Sequence, residues 1–211
     1  MQSNKLKLQS VLLSMLLCGA ASAQAGIVVY TDRDAFLAAS GAYGIDDFDD
    51  IDYAPYGATM DRSAGAYGYR VTAPGDIFGA GEGNDGWYST NRQLETSTFS
   101  NFAPGVSGFG GYFFGSDRNG AFLGGATLYF SADDGAVFDY TLSNATRTSF
   151  LGFLSDSTLN AVSITSSGVH WTTANDLILA TPAAADVPEP ESFAMLGLGL
   201  GLLGWMRRRR G

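Results

Sequence analysis

The densest group of chemically able side chains is Asp46, Asp47, Asp49, Asp50 and Asp52, five carboxylates within seven residues. Like charges so close repel unless water, a cation or a basic side chain screens them. Calcium suits such oxygen ligands, although no EF-hand loop follows, because Ala54 stands at the next odd position and no glycine follows it. Two readings stand: a solvated edge with Phe48 and Ile51 in the core, or a calcium site. If the segment is a strand, Asp47 and Asp49 share one face and Phe48 points to the other. No other metal or cofactor is expected.

Aromatic residues offer a second chemistry. Tyr53, Tyr56, Tyr67, Tyr69, Trp87, Tyr88 and Trp171 are candidates for a sugar-stacking platform, because apolar sugar faces pack on flat rings. Trp87 and Tyr88, beside the turn Asn84-Asp85-Gly86, are the chosen ligand candidates, with core packing as the competing reading. Nucleophilic catalysis has little support. His170 is the only histidine, no Gly-x-Ser-x-Gly elbow exists, and no phosphate-binding Gly-x-x-x-x-Gly-Lys loop occurs. We expect His170 to be a partly exposed strand residue. A pair of carboxylates would suffice for glycoside hydrolysis, but the spacing selects no pair.

The elements that position these residues read as β. Candidate strands are Ile27–Tyr30, Tyr67–Ala73, Gln93–Phe102, Gly108–Phe114, Ala126–Ser131, Val137–Leu142, Ser149–Leu154, Ala161–Thr165 and Asp176–Ala180. Turn signals at Asn84-Asp85-Gly86, Arg118-Asn119-Gly120, Asp133-Asp134-Gly135 and Ser166-Ser167-Gly168 separate several of them. The clearest hairpin turns at Asp133-Asp134-Gly135, with Leu128 and Phe130 alternating against Thr127 and Tyr129. One short helix is predicted after Thr31, which would cap Asp32-Arg33-Asp34 before Gly41 ends it. The expected fold is mainly β: an antiparallel two-sheet sandwich, jelly-roll-like, with one short N-terminal helix.

Composition agrees. The chain has 211 residues, 28 of them glycine, with 13% aromatics and 16% charged residues. That suits one turn-rich β domain with appendages and argues against a disordered chain. Net charge is −9, and residues 26–187 hold six arginines, no lysine and nineteen acids, a net charge of −13. A nucleic-acid partner is excluded, because phosphate binding needs a basic surface.

Both ends are basic and apolar instead. Lys5 and Lys7, the run Val11–Leu17 and the small residues Ala21-Ser22-Ala23 follow the order of a secretory signal peptide, assigned to residues 1–25. The one cysteine, Cys18, lies inside it, so the exported portion has no thiol. Residues 26–180 form the expected exported domain and 181–187 a linker of small residues. The segment 188–211 continues from Val187 with Pro188-Glu189-Pro190, an uncharged run from Phe193 to Met206, and Arg207-Arg208-Arg209-Arg210. Two prolines keep the motif extended for a processing enzyme to grip. The apolar run can form a short membrane helix, with Trp205 at the interface and Arg207 to Arg210 on the cytoplasmic side.

This tail resembles the PEP-CTERM sorting signal of Gram-negative bacteria. The resemblance implies recognition by a membrane-embedded exosortase and cleavage near Pro188-Glu189-Pro190. It implies secretion across the inner membrane, a transient membrane stage, and a final place in the envelope or outside, often in exopolysaccharide-producing, biofilm-forming bacteria. The middle is similar to adhesin-like and carbohydrate-binding sandwiches that carry such tails. That likeness rests on Tyr30-Thr31-Asp32-Arg33, Asp47-Phe48, Phe109-Gly110-Gly111-Tyr112-Phe113, Phe150-Leu151-Gly152-Phe153 and Asn175-Asp176-Leu177, and no binding residue is carried over. The expectation is a non-enzymatic surface or matrix protein whose partners are exosortase, the secretion machinery and extracellular polysaccharide. The alternatives are a secreted carboxylate-dependent hydrolase acting on polysaccharide, and a structural matrix component without a small ligand.

Overall fold

A computed structural model describes residues 26–183. The chain order is β1 (Ile27–Tyr30), α1 (Arg33–Ala39), β2 (Ser40–Asp46), β3 (Pro55–Ala64), β4 (Tyr67–Glu82), β5 (Asp85–Thr90) and β6 (Thr96–Ser100). Then follow β7 (Gly108–Ser116), β8 (Phe122–Leu123), β9 (Ala126–Asp133), β10 (Val137–Ala145), β11 (Phe150–Ser155), β12 (Ala161–Ser166) and β13 (Trp171–Pro182). The domain is mainly β and sandwich-like, as expected, with every ladder antiparallel. The nine predicted strands all lie within or overlap observed ones, and β2, β3, β5 and β8 are additional. The signal helix and the C-terminal membrane helix lie outside the described residues.

The hydrogen-bonded path runs β1-β11-β7-β13-β5-β4-β6-β12-β9-β10, nearly closing on itself. Strand β4 carries the path from one layer to the other. On one edge its first half pairs with β6 and its second half, from Ile77 onward, with β5, while β3 pairs along the other edge of both halves, with register shifts at Gly57. Between the halves lie Pro74, Gly75 and Asp76, with Asp76 at φ 84°. Proline removes a ladder donor there, so the chain bends instead of continuing flat.

Rings bridge the two layers. Phe99 packs on Phe109 at 5.3 Å, Phe113 on Phe130 at 5.1 Å, and Phe130 on Phe153 at 5.8 Å. The β9–β10 hairpin forms as predicted. Leu128 and Phe130 are buried, Tyr129 is exposed, and Val137 pairs with Asp133 across the turn, where Gly135 has φ 109°.

Helix α1 is capped by Asp32, whose Oδ1 accepts from the Ala35 amide at 2.8 Å, so Asp32 and not Thr31 is the cap. The helix buries Phe36 against Phe150, Ile178 and Ala180. A Cβ on Gly152 would lie 2.6 Å from the Phe36 ring, which makes glycine necessary at this saddle. The Phe-Gly-Gly and Leu-Gly-Phe segments are therefore a seat for the helix.

Candidate functional site

The five-aspartate segment does not form a strand beyond Asp46, which ends β2. Phe48 turns inward with φ 60° and is fully buried. Arg62 of β3 reaches across the loop. Its Nε donates to Asp46 Oδ2 at 2.9 Å, and a second guanidinium nitrogen donates to Asp46 Oδ1. It also donates to both oxygens of Asp50, at 3.1 and 2.7 Å, while its plane lies over the Phe48 ring at 5.2 Å. Tyr69 donates its hydroxyl to Asp46 Oδ2 at 2.7 Å. Asp46 is 4% exposed, so its charge is buried and compensated by one arginine.

Burial pulls the Arg62 guanidinium down. Its bonds to Asp46 and Asp50 outweigh that and hold it above its ordinary range. The bond from Arg62 holds the Asp50 carboxyl below the usual carboxylate range. Stability from Asp50 is thus present above the ordinary carboxylate value and lost as pH falls through the lowered one. Asp47 Oδ1 accepts from the Asp49 amide at 3.2 Å, and Asp49 Oδ1 accepts from the Gly86 amide at 2.8 Å. The Asp52 amide donates to the Tyr56 hydroxyl at 2.6 Å. Among the described residues no three metal-binding side chains gather at one point.

Trp87 and Tyr88, the chosen stacking pair, are both 0% exposed. Trp87 donates Nε1–H to Gly120 O at 3.0 Å and meets Phe114 edge-on at 5.3 Å, with the Arg147 guanidinium 4.9 Å over its ring. Arg147 is held there by Glu82 and Asp85. Tyr88 donates to Ser97 Oγ at 2.7 Å, and burial pushes its phenol up. Neither ring offers a face to a ligand; both are core. The alternation of β5 explains little here, because its last four residues are all buried.

A different aromatic residue lines a groove. Trp171, half-buried at the start of β13, borders a cavity of about 430 Å³ with Phe78, Ser89, Thr90, Asn91, Asp117, Arg118 and Gly120. The wall from Asp117 to Gly120 is the turn after β7. Asp117 Oδ1 accepts from the amides of Asn119 at 2.7 Å and Ala121 at 3.1 Å, which fixes the turn and leaves Oδ2 without a partner among the described residues. Beneath the groove, Ser89, Ser116 and Thr173 share hydroxyl bonds of 3.0 to 3.4 Å. Among the described residues Arg118 makes no ion pair, unlike Arg62, Arg70 and Arg147. The groove thus combines two rings with an unengaged carboxylate oxygen, a free guanidinium and an amide. Trp171 is among the aromatic candidates of the sequence and Arg118-Asn119-Gly120 among its turn signals, but no spacing joins them, and Asp117 carries no signal of its own as a groove residue.

His170, next to Trp171, precedes β13 and is half-buried. Its Nδ1 lies 3.1 Å from Ser167 O and its Nε2 3.2 Å from Gly124 O. Both ring nitrogens face carbonyl oxygens, so the ring holds two loops together.

Asp176 sits at the irregularity of β13 with φ 46°. Burial pushes its carboxyl up; nearby Arg33 opposes this, and Asp85, Asp47 and Asp49 add to it. A raised carboxyl costs stability where it is ionised, and the cost vanishes as pH falls through its folded value. Asp176→Asn, which also tolerates the left-handed backbone, is expected to raise the melting temperature at pH 7 and to change it little at pH 4. Thermal melts at the two values check this.

A family model for the PEP-CTERM protein-sorting motif matches residues 186–210. The chain carries this sorting motif over residues 186–210, and the domain that precedes it is β-rich, as expected. The motif supports export, exosortase processing and a transient membrane-anchored stage in a Gram-negative cell. Val187, Pro188, Glu189, Pro190, Trp205 and Arg207 to Arg210 lie outside the described residues, as do the signal peptide and the linker beyond residue 183. No curated protein and no solved structure matches the chain.

Proposed function

We propose that this exported chain is a non-enzymatic surface or matrix protein of biofilm that binds extracellular polysaccharide in the Trp171 groove. The observation that carries the reading is the groove itself. A ring face suits the C–H side of a sugar, and Asp117, Arg118 and Asn91 suit its hydroxyls. Its volume of about 430 Å³ suits one or two sugar rings of a longer chain.

The test is titration with a polysaccharide panel, including the purified exopolysaccharide of the producing strain. Trp171→Ala is expected to weaken binding about tenfold or more, as loss of a central aromatic anchor does. Trp171→Tyr, which keeps a ring face, should retain most of the affinity. Binding without shortening of the polymer supports the reading, and equal binding by Trp171→Ala contradicts it.

One observation favours a second reading, a carboxylate-dependent hydrolase. Asp176, with its raised carboxyl near Asp85, has the character of a general acid. Polymer cleavage by the wild type that Asp176→Asn abolishes would select this reading.

A further inference from the structure

The strand that begins in the groove also ends at the tail. In the register of β13 with β7, Trp171 lies opposite Ser116 and Ala180 lies opposite Gly108. The strand runs twelve residues to Pro182. At a rise of about 3.3 Å per residue, its two ends are about 35 Å apart.

The N-terminal end of the domain leaves from the tail's pole. Ile27 pairs with Ser155, whose amide donates to Ser107 O at 2.9 Å, and the Ser107 amide donates to Ala180 O at 2.9 Å. Three strand spacings, about 14 Å, separate the two exits. The groove therefore occupies one pole, and the chain departs toward both apolar ends from the other.

The leash is short. Five residues lie between Pro182 and Pro188, six steps of at most about 21 Å of extended chain. Another five lead to Phe193, where the apolar run begins. The leash attaches at the exit pole, so the groove lies at the pole farther from the attachment.

We propose that the groove takes its polysaccharide while the chain is still tethered, so that the unprocessed protein bridges the bilayer and the polymer. This rests on the reading of the groove as a polysaccharide site.

The test places the full chain, with Pro188, Glu189 and Pro190 replaced by alanine, in phosphatidylethanolamine–phosphatidylglycerol vesicles. These are titrated with fluorescein-labelled exopolysaccharide purified from the producing strain, beside the naturally processed protein in solution. The expected result is a Kd for the vesicle-held chain less than tenfold from that of the processed protein. Binding should be weakened about tenfold or more in Trp171→Ala, and weakened too in Arg118→Gln, whose exposed side chain lies outside any strand. If the processed protein binds and the vesicle-held chain is weaker by tenfold or more, the inference fails and the groove reading stands. Vesicle binding that survives both substitutions overturns the inference, because the polymer is then held elsewhere. Silence in both forms overturns the inference and the reading together.

Discussion

A chain in which Pro188, Glu189 and Pro190 are all alanine is expected to keep Arg207 to Arg210 and to stay in the inner membrane. The physical ground is that the three parts of the tail do separate work. By its composition the apolar run Phe193–Met206 is expected to hold the chain in the bilayer, and the arginine cluster to stay on the cytoplasmic side. Neither part can free the domain. The proline-bracketed glutamate is the portion that an enzyme can grip as extended chain, and alanine there permits helix instead. Fractionation followed by blotting for the ectodomain reads the outcome: wild type outside the inner membrane, the variant within it. The β domain should be unaffected, because its last strand ends at Pro182.

The largest loss of stability is expected from Arg62→Ala. The substitution leaves the Asp46 carboxylate, 4% exposed, with the Tyr69 hydroxyl and the Phe48 amide as its remaining donors. Breaking a buried pair by removing one partner costs about 3–5 kcal/mol. For a domain of this size that is a fall in melting temperature of roughly 10 °C. The cation also leaves the face of Phe48, which adds to the loss. Urea unfolding of Arg62→Ala measures the cost. Asp46→Asn placed on top of Arg62→Ala should return part of it, since an amide carries no uncompensated charge. If the double variant is no more stable than Arg62→Ala, lost packing and not the charge explains the deficit.

This network shows where the sequence was readable. The crowding of Asp46 to Asp52 says that something must screen those charges, and of the two residues expected inward from a solvated edge, Phe48 is fully buried and Ile51 partly. The partner was not visible, because Arg62 stands sixteen residues from Asp46 in a strand with little apolar pattern. Strand β3 lies outside the continuous path and pairs with β4 alone, and its inward face sets Arg62 between Met60 and Ala64, so a charge interrupts the apolar alternation. Strand β5 was hidden by its own turn signal. Asn84-Asp85-Gly86 reads as a turn, yet Glu82 pairs with Asp85 and the reversal falls on Gly83 and Asn84, with Gly83 at φ 66°. That shift of register moved Trp87 and Tyr88 from the rim into the core.

The groove was legible only in fragments. Trp171 and the Asp117–Gly120 turn come together because β13 pairs with β7 across a long sequence separation, and no local pattern encodes that pairing. The tail is the opposite case. Its parts are contiguous, so their order along the chain is itself the signal, and the matched motif at residues 186–210 coincides with it.

The most direct test of the account is the intact mass of the native product. It should be recovered outside the inner membrane and lack both basic ends: the N-terminal segment through about Ala23 or Ala25, and the arginines from 207 to 210. Recovery from the cytosol of a soluble, untrimmed chain of 22.2 kDa would contradict it.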